Sequence, residues 1–391
     1  MLGLIVVSSG LVLAALPLFM VGGLAVQIRS ELGFSESALG AAVTIGFVVG
    51  AVSAPFGGRL ADMTGPKTAL YIGSSLSAIS LIGLGVFADD WGLLAIFLAL
   101  AGLAVAITDP GLAILVNSSV SSDKHGLAFG LKEASIPAAT LAAGAAVPAI
   151  ALTVGWRWAF MVGALPLLLV LFLLARIEPV ANPDHEISPE ATVAEKSAKP
   201  PGGAILLTAV AAALGTAAAS GVGVFLTESA VAMGVEPGTA GILLAGGSVA
   251  GIITRISTGV SADRTGGAQF RLIAFMLAIG GVTIALGGTG NNALLVVGTI
   301  GAFTGGWGWT GLYFLSLVKA SPSNPGAVSG IGTSGLGVGN AVGPLLFGIT
   351  AESMSFRAAW LGAGVVAIIA AVVMLMARTR MEPPPGGETT K

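Results

Sequence analysis

Long apolar runs, each followed by a short polar stretch, succeed one another along almost the whole chain. A helix needs about 20 apolar residues to cross the hydrocarbon core of a membrane. By this criterion the sequence predicts twelve membrane-spanning helices, numbered spans 1 to 12: residues 2–28, 37–58, 68–88, 91–119, 127–152, 158–175, 203–230, 238–258, two helices within 272–318, 326–351 and 358–377. The uncharged run 272–318 is divided near Gly288 to Asn292, and spans 9 and 10 lie on either side.

Composition supports an all-α, multi-pass membrane protein. Of the 391 residues 55% are hydrophobic and 9% are charged, and the mean hydropathy is +0.96, whereas a soluble protein carries about a quarter charged residues. The net charge of −2 gives no reason to expect a nucleic-acid partner. The chain has no cysteine and two histidines, both in polar stretches, so we expect no metal site, no cofactor and no catalytic residue.

A polar motif occurs twice. Gly58–Lys67, which reads G-R-L-A-D-M-T-G-P-K and is interpreted as a loop after span 2, returns 201 residues later as Gly259–Gly266 after span 8. Both copies fit G-x-x-x-D-x-x-G. Gly126 and Gly130 likewise precede Gly326 and Gly330 by 200 residues. The sequence therefore predicts two parallel six-span repeats, related by an axis along the membrane normal.

The repeats define the domains and the basic residues define the orientation. We expect two pseudo-symmetric six-helix bundles, 1–176 and 203–378, a polar cytoplasmic linker, 177–202, and a cytoplasmic tail, 379–391. With both termini in the cytoplasm, 13 of the 17 Lys and Arg residues fall on the cytoplasmic side, as basic residues in membrane proteins do. The predicted location is the inner (plasma) membrane.

The twelve spans and the repeated G-x-L-A-D-x-x-G-x-K motif resemble the major facilitator superfamily over essentially the whole chain. The resemblance implies a secondary active transporter that works by alternating access. Spans 1, 4, 7 and 10 would line the cavity, spans 2, 5, 8 and 11 would form the bundle interface, and spans 3, 6, 9 and 12 would be peripheral. The expected partners are a small-molecule substrate, protons and the lipid bilayer, and the expected functional unit is a monomer.

The repeated motif supplies the gating candidates, Arg59, Asp62 and Lys67, with Asp263 and Arg264 in the second copy. A carboxylate at the end of span 2 can interact with the N-terminus of a facing helix in the other bundle. Such a contact would hold one conformation and break in the other. The alternative is a charged turn that only fixes topology.

Arg255 is the first substrate-binding candidate. It precedes Asp263 by eight positions, about 12 Å along the helix, and ionisable residues inside a membrane are functional candidates by default. The pattern Arg255-x-x-x-Gly259-x-x-x-Asp263 resembles the oxalate/formate-exchanger and monocarboxylate-transporter branch, where the arginine at this position binds the substrate carboxylate. The alternative is an arginine whose charged head reaches the cytoplasmic interface.

Lys132 is the second cation at this depth, on span 5. The oxalate branch carries its second cation on span 11, where this chain has Gly332 and Thr333, and this departure leaves the substrate open. Since Lys132 and Glu133 are adjacent, they point about 100° apart on the helix. Both cannot face the centre of the cavity.

Three carboxylates are proton-coupling candidates: Asp109 midway along span 4, Glu133 on span 5 and Glu228 near the outer end of span 7. Burial favours the neutral acid, so a buried carboxylate can carry a proton. Alternatively, Asp109 is paired with Lys132 and Glu228 is a gate or interface charge. Trp309 and Tyr313 share a face of span 10 and either wall the substrate or pack structurally. Asn340 on span 11 is a further polar substrate-binding candidate.

We therefore expect proton-coupled uptake or exchange of a small organic anion. The first alternative is efflux of a drug-like compound by proton antiport. It is disfavoured because span 4 lacks an arginine and span 5 shows little of the G-x-x-x-G-P-x-x-G-G stretch of such exporters. The second alternative is a non-transporting receptor on the same fold, which would be expected to lose the motif or carry an extra domain. An enzyme is not expected, because the sequence offers no nucleophile–base pair.

Overall fold

A computed structural model describes residues 2–119, 125–176, 202–265, 268–321 and 325–381, and every regular element in these ranges is helical. Twelve spans form two six-helix bundles. Spans 1 to 6 are Leu2–Gly23 with Ala25–Leu32, Glu36–Thr64, Pro66–Phe87, Trp91–Ser119, His125–Ala146 with the π-helical turn Val147–Ala151, and Trp156–Gly163 with Pro166–Arg176. Spans 7 to 12 are Gly202–Ala232, Pro237–Thr265, Phe270–Gly287, Asn292–Gly301 with Thr310–Ala320, Pro325–Ser353 and Phe356–Met381.

Ten of the described helices are long and apolar enough to cross a membrane on their own. Span 1 reaches this length as a bent pair, because its two helices meet at Leu24 at an angle of 64°. Span 10 is broken by a π-helical turn, Ala302–Gly306. Most of the predicted linker and tail lies outside the described residues, so the domain boundaries stay a prediction that agrees with where spans 6 and 7 end and begin.

The interpretation of the motif as a loop is wrong. Residues 58–64 form the last two turns of span 2, and only Gly65, with φ of +82°, ends the helix. The Gly65 N–H bonds to the Ala61 carbonyl, and Pro66 starts span 3, where its missing N–H costs nothing. Charged side chains on a helix end do not break the helix, so the polar pattern marks the membrane surface and not the end of the span.

Two seams join the bundles, one between spans 5 and 8 and one between spans 2 and 11. We call the end of the molecule that carries Asp62 and Asp263 the motif end, and the end that carries Arg29 and Glu228 the opposite end. The span 5/8 seam is closed along its whole length. From the opposite end to the motif end it contains the contacts Gly144–Gly241, Thr140–Ser248, Gly130–Arg255 and Gly126–Gly259.

The span 2/11 seam is closed only at the opposite end. Gly40 packs against Pro344, and the Thr44 hydroxyl donates to the Ala341 carbonyl at 2.5 Å. Nearer the motif end, a Cβ added at Gly337 would lie 3.6 Å from the Ala51 side chain. Beyond it, a Cβ added at Gly58 or at Gly330 would meet nothing within 4 Å. These glycines are the repeat counterparts of Gly259 and Gly130, which touch the facing backbone, so the two seams differ at the motif end.

Candidate functional site

Arg255 is completely buried, and its guanidinium is held by span 10. Its Nη2 donates to the Trp307 carbonyl at 2.9 Å and its Nε donates to the Thr310 hydroxyl at 3.3 Å. The guanidinium carbon lies 5.6 Å from the centre of the Trp307 ring. Nη1 is buried and has no hydrogen-bond partner among the described residues. The guanidinium therefore does not reach the interface, and it keeps one donor available inside the molecule.

The break in span 10 makes this arrangement possible. The stretch Gly305-Gly306-Trp307-Gly308-Trp309 leaves the α-helical path through a π-helical turn. Breaks of this kind release backbone carbonyls from the helical hydrogen-bond ladder. The carbonyl released at Trp307 accepts the Arg255 bond. Because this partner is a backbone group, no side chain in the sequence indicates it. The glycine-rich stretch indicates only that the helix is broken here.

Lys132 forms a cluster with two carboxylates. Its Nζ lies 2.7 Å from Asp109 Oδ1 on span 4 and 3.4 Å from Glu133 Oε1 on its own helix. Lys132 and Glu133 are buried, whereas the Asp109 side chain is 35% exposed. The geometry is thus that of the alternative in which Asp109 pairs with Lys132, and Asp109 is the most exposed member of the cluster.

Together, Asp109, Lys132, Glu133 and Arg255 carry two positive and two negative charges. Three of them belong to the first bundle, and Arg255 belongs to the second. A buried cation needs a countercharge, which Lys132 finds in two carboxylates while Arg255 has only neutral hydrogen-bond partners. The two cations at this depth therefore differ, because Lys132 is paired with carboxylates and Arg255 is bonded to neutral groups of span 10.

The remaining substrate-binding candidates lie elsewhere. Trp309 and Tyr313 are fully buried and packed edge to face at 5.7 Å, and their polar atoms bond to Gly306 and Thr208 within the second bundle. They occupy the core of that bundle, as in the structural alternative. Trp307 lies nearer to Arg255 and packs on Phe19 of span 1 at 5.6 Å. The Asn340 side-chain oxygen is buried without a hydrogen-bond partner among the described residues.

At the motif end the two copies of the motif behave differently. The Asp263 carboxylate accepts hydrogen bonds from the backbone N–H groups of Gly126 at 2.7 Å and Leu127 at 2.9 Å. It thereby caps the N-terminus of span 5 across the bundle interface, where the helix dipole favours an anion. Its counterpart Asp62 is exposed, as are Arg59 and Arg264, and Lys67 is partly buried.

The opposite end is closed by a cross-bundle ion pair, whose cation Arg29 was not among the candidate residues. Arg29, beyond the bend in span 1, pairs with Glu228 of span 7 and with Glu36 of span 2 at 3.0 Å. Its Nε also donates to the Phe34 carbonyl. Glu352 of span 11 accepts the Ser37 N–H at 3.0 Å. The 64° bend in span 1 places Arg29 between the bundles.

Within the described ranges, no three His, Asp or Glu side chains converge as a metal ion would require. The central charges lie between a closed opposite end and a motif end that is open on the span 2/11 side. This is the geometry of a site that is accessible from one side of a membrane at a time.

The sequence matches the family model of the Major Facilitator Superfamily over residues 7–288 and 205–391, which together include almost the whole chain. The chain belongs to the major facilitator superfamily. It is accordingly a membrane transporter and not an enzyme. A comparison with curated proteins finds no significant match.

Solved structures of major facilitator transporters share the fold. The crystal structure of a D-xylose-proton symporter superposes with a TM-score of 0.76 at 15% identity, covering 95% of this chain and 96% of that one. A bacterial homologue of the human lysosomal transporter Spinster, in an inward-facing and occupied conformation, gives 0.71 at 14% identity, with 96% of each chain covered. At such identities the likeness shows the fold alone. These two structures do not decide the branch of the family, and the substrate has to be argued from the site.

Proposed function

We propose that this transporter carries a small organic anion, a carboxylate, together with protons, and that Arg255 binds it. The observation that carries the proposal is the free Nη1 of a completely buried guanidinium. An unsatisfied charged donor inside a protein is costly, and a carboxylate is the ligand that the guanidinium fork fits best. The bonds to Trp307 and Thr310 fix the fork before the anion arrives.

Charge balance supports coupling to protons. The cluster Asp109, Lys132, Glu133 and Arg255 is neutral overall, so a bound carboxylate would add one negative charge to a poorly solvated site. A proton on Asp109 or Glu133 restores neutrality, and Asp109 is the more accessible to water. Glu228 has a different position, because its partner Arg29 closes the opposite end. We assign Glu228 to the gate that opens on the other side.

Uptake into proteoliposomes tests the proposal. The outside is made more acidic than the inside, and radiolabelled acetate, lactate, benzoate and oxalate are supplied one at a time. We expect at least one to accumulate above the level reached in liposomes without the transporter. A protonophore, which dissipates the gradient, should remove the accumulation. Accumulation of only neutral or cationic drug-like compounds would contradict the anion proposal and favour the antiport alternative.

We also propose that the motif end faces the cytoplasm, because 12 of the 17 Lys and Arg residues, with the buried Arg255 left out, then lie on that side. In the cysteine-free chain, a cysteine at Ser197 should react with a membrane-impermeant maleimide only from the cytoplasmic side. A cysteine at Ser355 should react only from outside. Labelling of Ser197→Cys in intact cells would reverse the orientation.

The motif residues are proposed to close the motif end. When the span 2/11 seam closes as the span 5/8 seam does now, Asp62 would cap the start of span 11 as Asp263 caps span 5. Arg59, Lys67 and Arg264 would take part through their charges. The closed seam requires Gly58 to approach the facing backbone as Gly259 does, whose added Cβ would collide with the Gly126 carbonyl.

The gate proposal predicts the effect of filling this space. Gly58→Leu should fold normally, because nothing lies within 4 Å of an added Cβ, but should hold the seam open and reduce transport at least tenfold. The control is Gly246→Leu on span 8, also in open space, which should transport normally. Normal transport by Gly58→Leu would show that the span 2/11 seam does not close.

A further inference from the structure

A row of four aromatic rings crosses from the first bundle to the second next to Arg255. The rings belong to Phe47 of span 2, to Phe19 of span 1, and to Trp307 and Phe303 in the broken part of span 10. We infer that this aromatic row closes the anion site toward the opposite end, and that Trp307 also holds the Arg255 guanidinium in position. The second part rests on the proposed function, because it takes Arg255 as the anion-binding residue.

The aromatic row is continuous across the bundle interface. Ring centres are 6.1 Å apart from Phe47 to Phe19, 5.6 Å from Phe19 to Trp307 and 6.0 Å from Trp307 to Phe303. Favourable aromatic pairs have separations of about 4.5–7 Å. Phe19 and Trp307 are only 5% and 2% exposed. Since Phe19 belongs to the first bundle and Trp307 to the second, their contact has to part when the bundles separate at this level.

The aromatic row lies directly inside the closed contacts of the opposite end. Phe19 is three residues before Gly22, where span 1 meets the backbone of span 7 at Val224. Phe47 is three residues beyond Thr44, whose hydroxyl bonds to span 11. Three residues are about one helical turn. On both spans, therefore, the aromatic row is one turn deeper in the molecule than the contacts that close this end.

The Trp307 ring lies between the guanidinium and these closed contacts. On one side, the centre of the ring is 5.6 Å from the guanidinium carbon of Arg255. On the other side, a Cβ added at Gly223, the neighbour of Val224, would lie 3.0 Å from the ring. The second partner of the guanidinium is the Thr310 hydroxyl, three residues nearer the motif end of span 10. Arg255 is thus on the motif-end side of the ring.

The opposite end therefore has two barriers in series. The ion pair between Arg29 and Glu228 closes it near the surface, and the aromatic row closes it again next to Arg255. An anion that moves between Arg255 and the opposite end has to pass the level of the aromatic row. A hydrated ion crosses an apolar constriction poorly, because it has to lose its water there. The inner barrier would therefore keep the charged cluster that contains Arg255 apart from water on this side.

Trp307 acts on Arg255 through two separate contacts. Its carbonyl accepts the Nη2 hydrogen bond at 2.9 Å, and its ring lies against the guanidinium. A cation is attracted to the face of an aromatic ring, so the ring adds a second constraint on the orientation of the guanidinium. A substitution of the Trp307 side chain keeps the backbone carbonyl in the chain and removes the ring, which makes the contribution of the ring measurable.

The barrier is tested without any substrate. Thr227 is buried, bonds to the Gly22 carbonyl and lies between the aromatic row and the ion pair. In the cysteine-free chain, Thr227→Cys is labelled with a maleimide in detergent micelles. Phe19→Leu and Trp307→Leu should each raise the labelling rate about two- to tenfold, which is the worth of an aromatic pair expressed as an equilibrium. The double variant should be no faster than the faster single variant, because both substitutions remove the same contact.

Phe160→Leu is the matched control for this labelling. Phe160 is also completely buried, but its ring packs on Trp156 within the first bundle, so the labelling rate of Thr227→Cys should stay at its parent value. An unchanged rate in Phe19→Leu or in Trp307→Leu would overturn the barrier. An equal rise in Phe160→Leu would overturn it as well. Because no substrate is present, these results do not bear on the anion site.

The positioning role of Trp307 is tested by the binding of acetate to the purified transporter. Phe19→Leu and Trp307→Leu remove the same contact between the bundles, so a difference between their affinities measures the effect of the ring on Arg255. We expect Trp307→Leu to bind acetate at least about threefold more weakly than Phe19→Leu, and Trp307→Phe to restore most of this difference.

The two parts of the inference fail separately. Equal affinities of Phe19→Leu and Trp307→Leu for acetate would overturn the positioning role and leave the barrier in place. If neither acetate nor lactate, benzoate or oxalate binds the wild-type transporter, the proposed function fails and the positioning role fails with it. In that case the labelling of Thr227→Cys still decides whether the aromatic row is a barrier.

Discussion

Arg255→Gln is expected to abolish binding and transport of the carboxylate while the transporter remains folded. The substitution removes the free Nη1 donor and the positive charge, and both are needed to hold an anion in a buried site. Glutamine keeps part of the volume and remains a polar hydrogen-bond donor without a charge. Binding measured by calorimetry and uptake into proteoliposomes should both be lost.

Arg255→Lys gives a graded result. The charge is kept, but the planar fork that bonds Trp307 and Thr310 while presenting a third nitrogen is lost. We expect a loss of about 1.5–3 kcal/mol, the value of a charge-assisted hydrogen bond, which corresponds to a roughly 10- to 150-fold weaker affinity. Arg271→Gln, an exposed arginine at the start of span 9, is the control and should bind normally. Normal transport of a carboxylate by Arg255→Gln would end the proposed function.

The general architecture could be predicted from the sequence because it depends on patterns that are local or repeated. Apolar length fixes twelve spans, and the 201-residue offset of the motif fixes the parallel repeats. The depth of Arg255 follows from its distance to Asp263, and its complete burial agrees with a position inside the membrane. Spans end later than predicted, because the ends of helices at a membrane surface can be polar.

The site itself could be predicted only in part, because its partners are set by tertiary contacts. The sequence allows Asp109 and Lys132 to form a pair, because their side chains carry opposite charges. By contrast, the Trp307 carbonyl is a backbone group that becomes available only through the π-helical turn. The pairing of Arg29 with Glu228 depends on the bend at Leu24, and that bend has no signal in the apolar pattern. Trp309 and Tyr313 share a face of span 10 as expected, but that face turns into the second bundle.

The asymmetry of the seams also could not be predicted, although its residues could be seen in the sequence. The motif glycines Gly58 and Gly259 look equivalent, and so do Gly130 and Gly330. The structure gives one pair close backbone contacts and leaves the other pair open. A repeat predicts which residues can meet, but the conformation decides which of them do. The open pair is where we expect the moving part of the transporter.

Asp109→Asn is expected to cost stability and to uncouple transport from the pH gradient. Asp109 is the closer of the two carboxylates on the buried Lys132, so its neutralisation leaves the ammonium with Glu133 alone. Breaking a fully buried ion pair costs about 3–5 kcal/mol. Since the Asp109 side chain is 35% exposed, we expect a smaller loss of about 2 kcal/mol in the free energy of unfolding measured in mixed micelles.

The double variant Asp109→Asn/Lys132→Gln should recover most of this loss, because no unpaired charge is left behind. The sum of the single effects should therefore exceed the double effect, which is the signature of a direct interaction. Asp89→Asn is the matched control: Asp89 pairs with Arg157 at 3.0 Å but is 74% exposed, so its loss should cost less than about 1 kcal/mol. Additive effects of Asp109→Asn and Lys132→Gln would show that the pair contributes nothing.

The same variant separates coupling from binding. Asparagine at position 109 carries no negative charge and accepts no proton. A carboxylate bound to Arg255 therefore leaves the cluster neutral without any proton being taken up. Exchange of labelled for unlabelled carboxylate should therefore continue at a rate within about threefold of wild type, whereas accumulation driven by a pH gradient should disappear. Glu133→Gln, measured in parallel, should retain accumulation. If Asp109→Asn still accumulates carboxylate along the pH gradient, the proton is carried by Glu133 or Glu228.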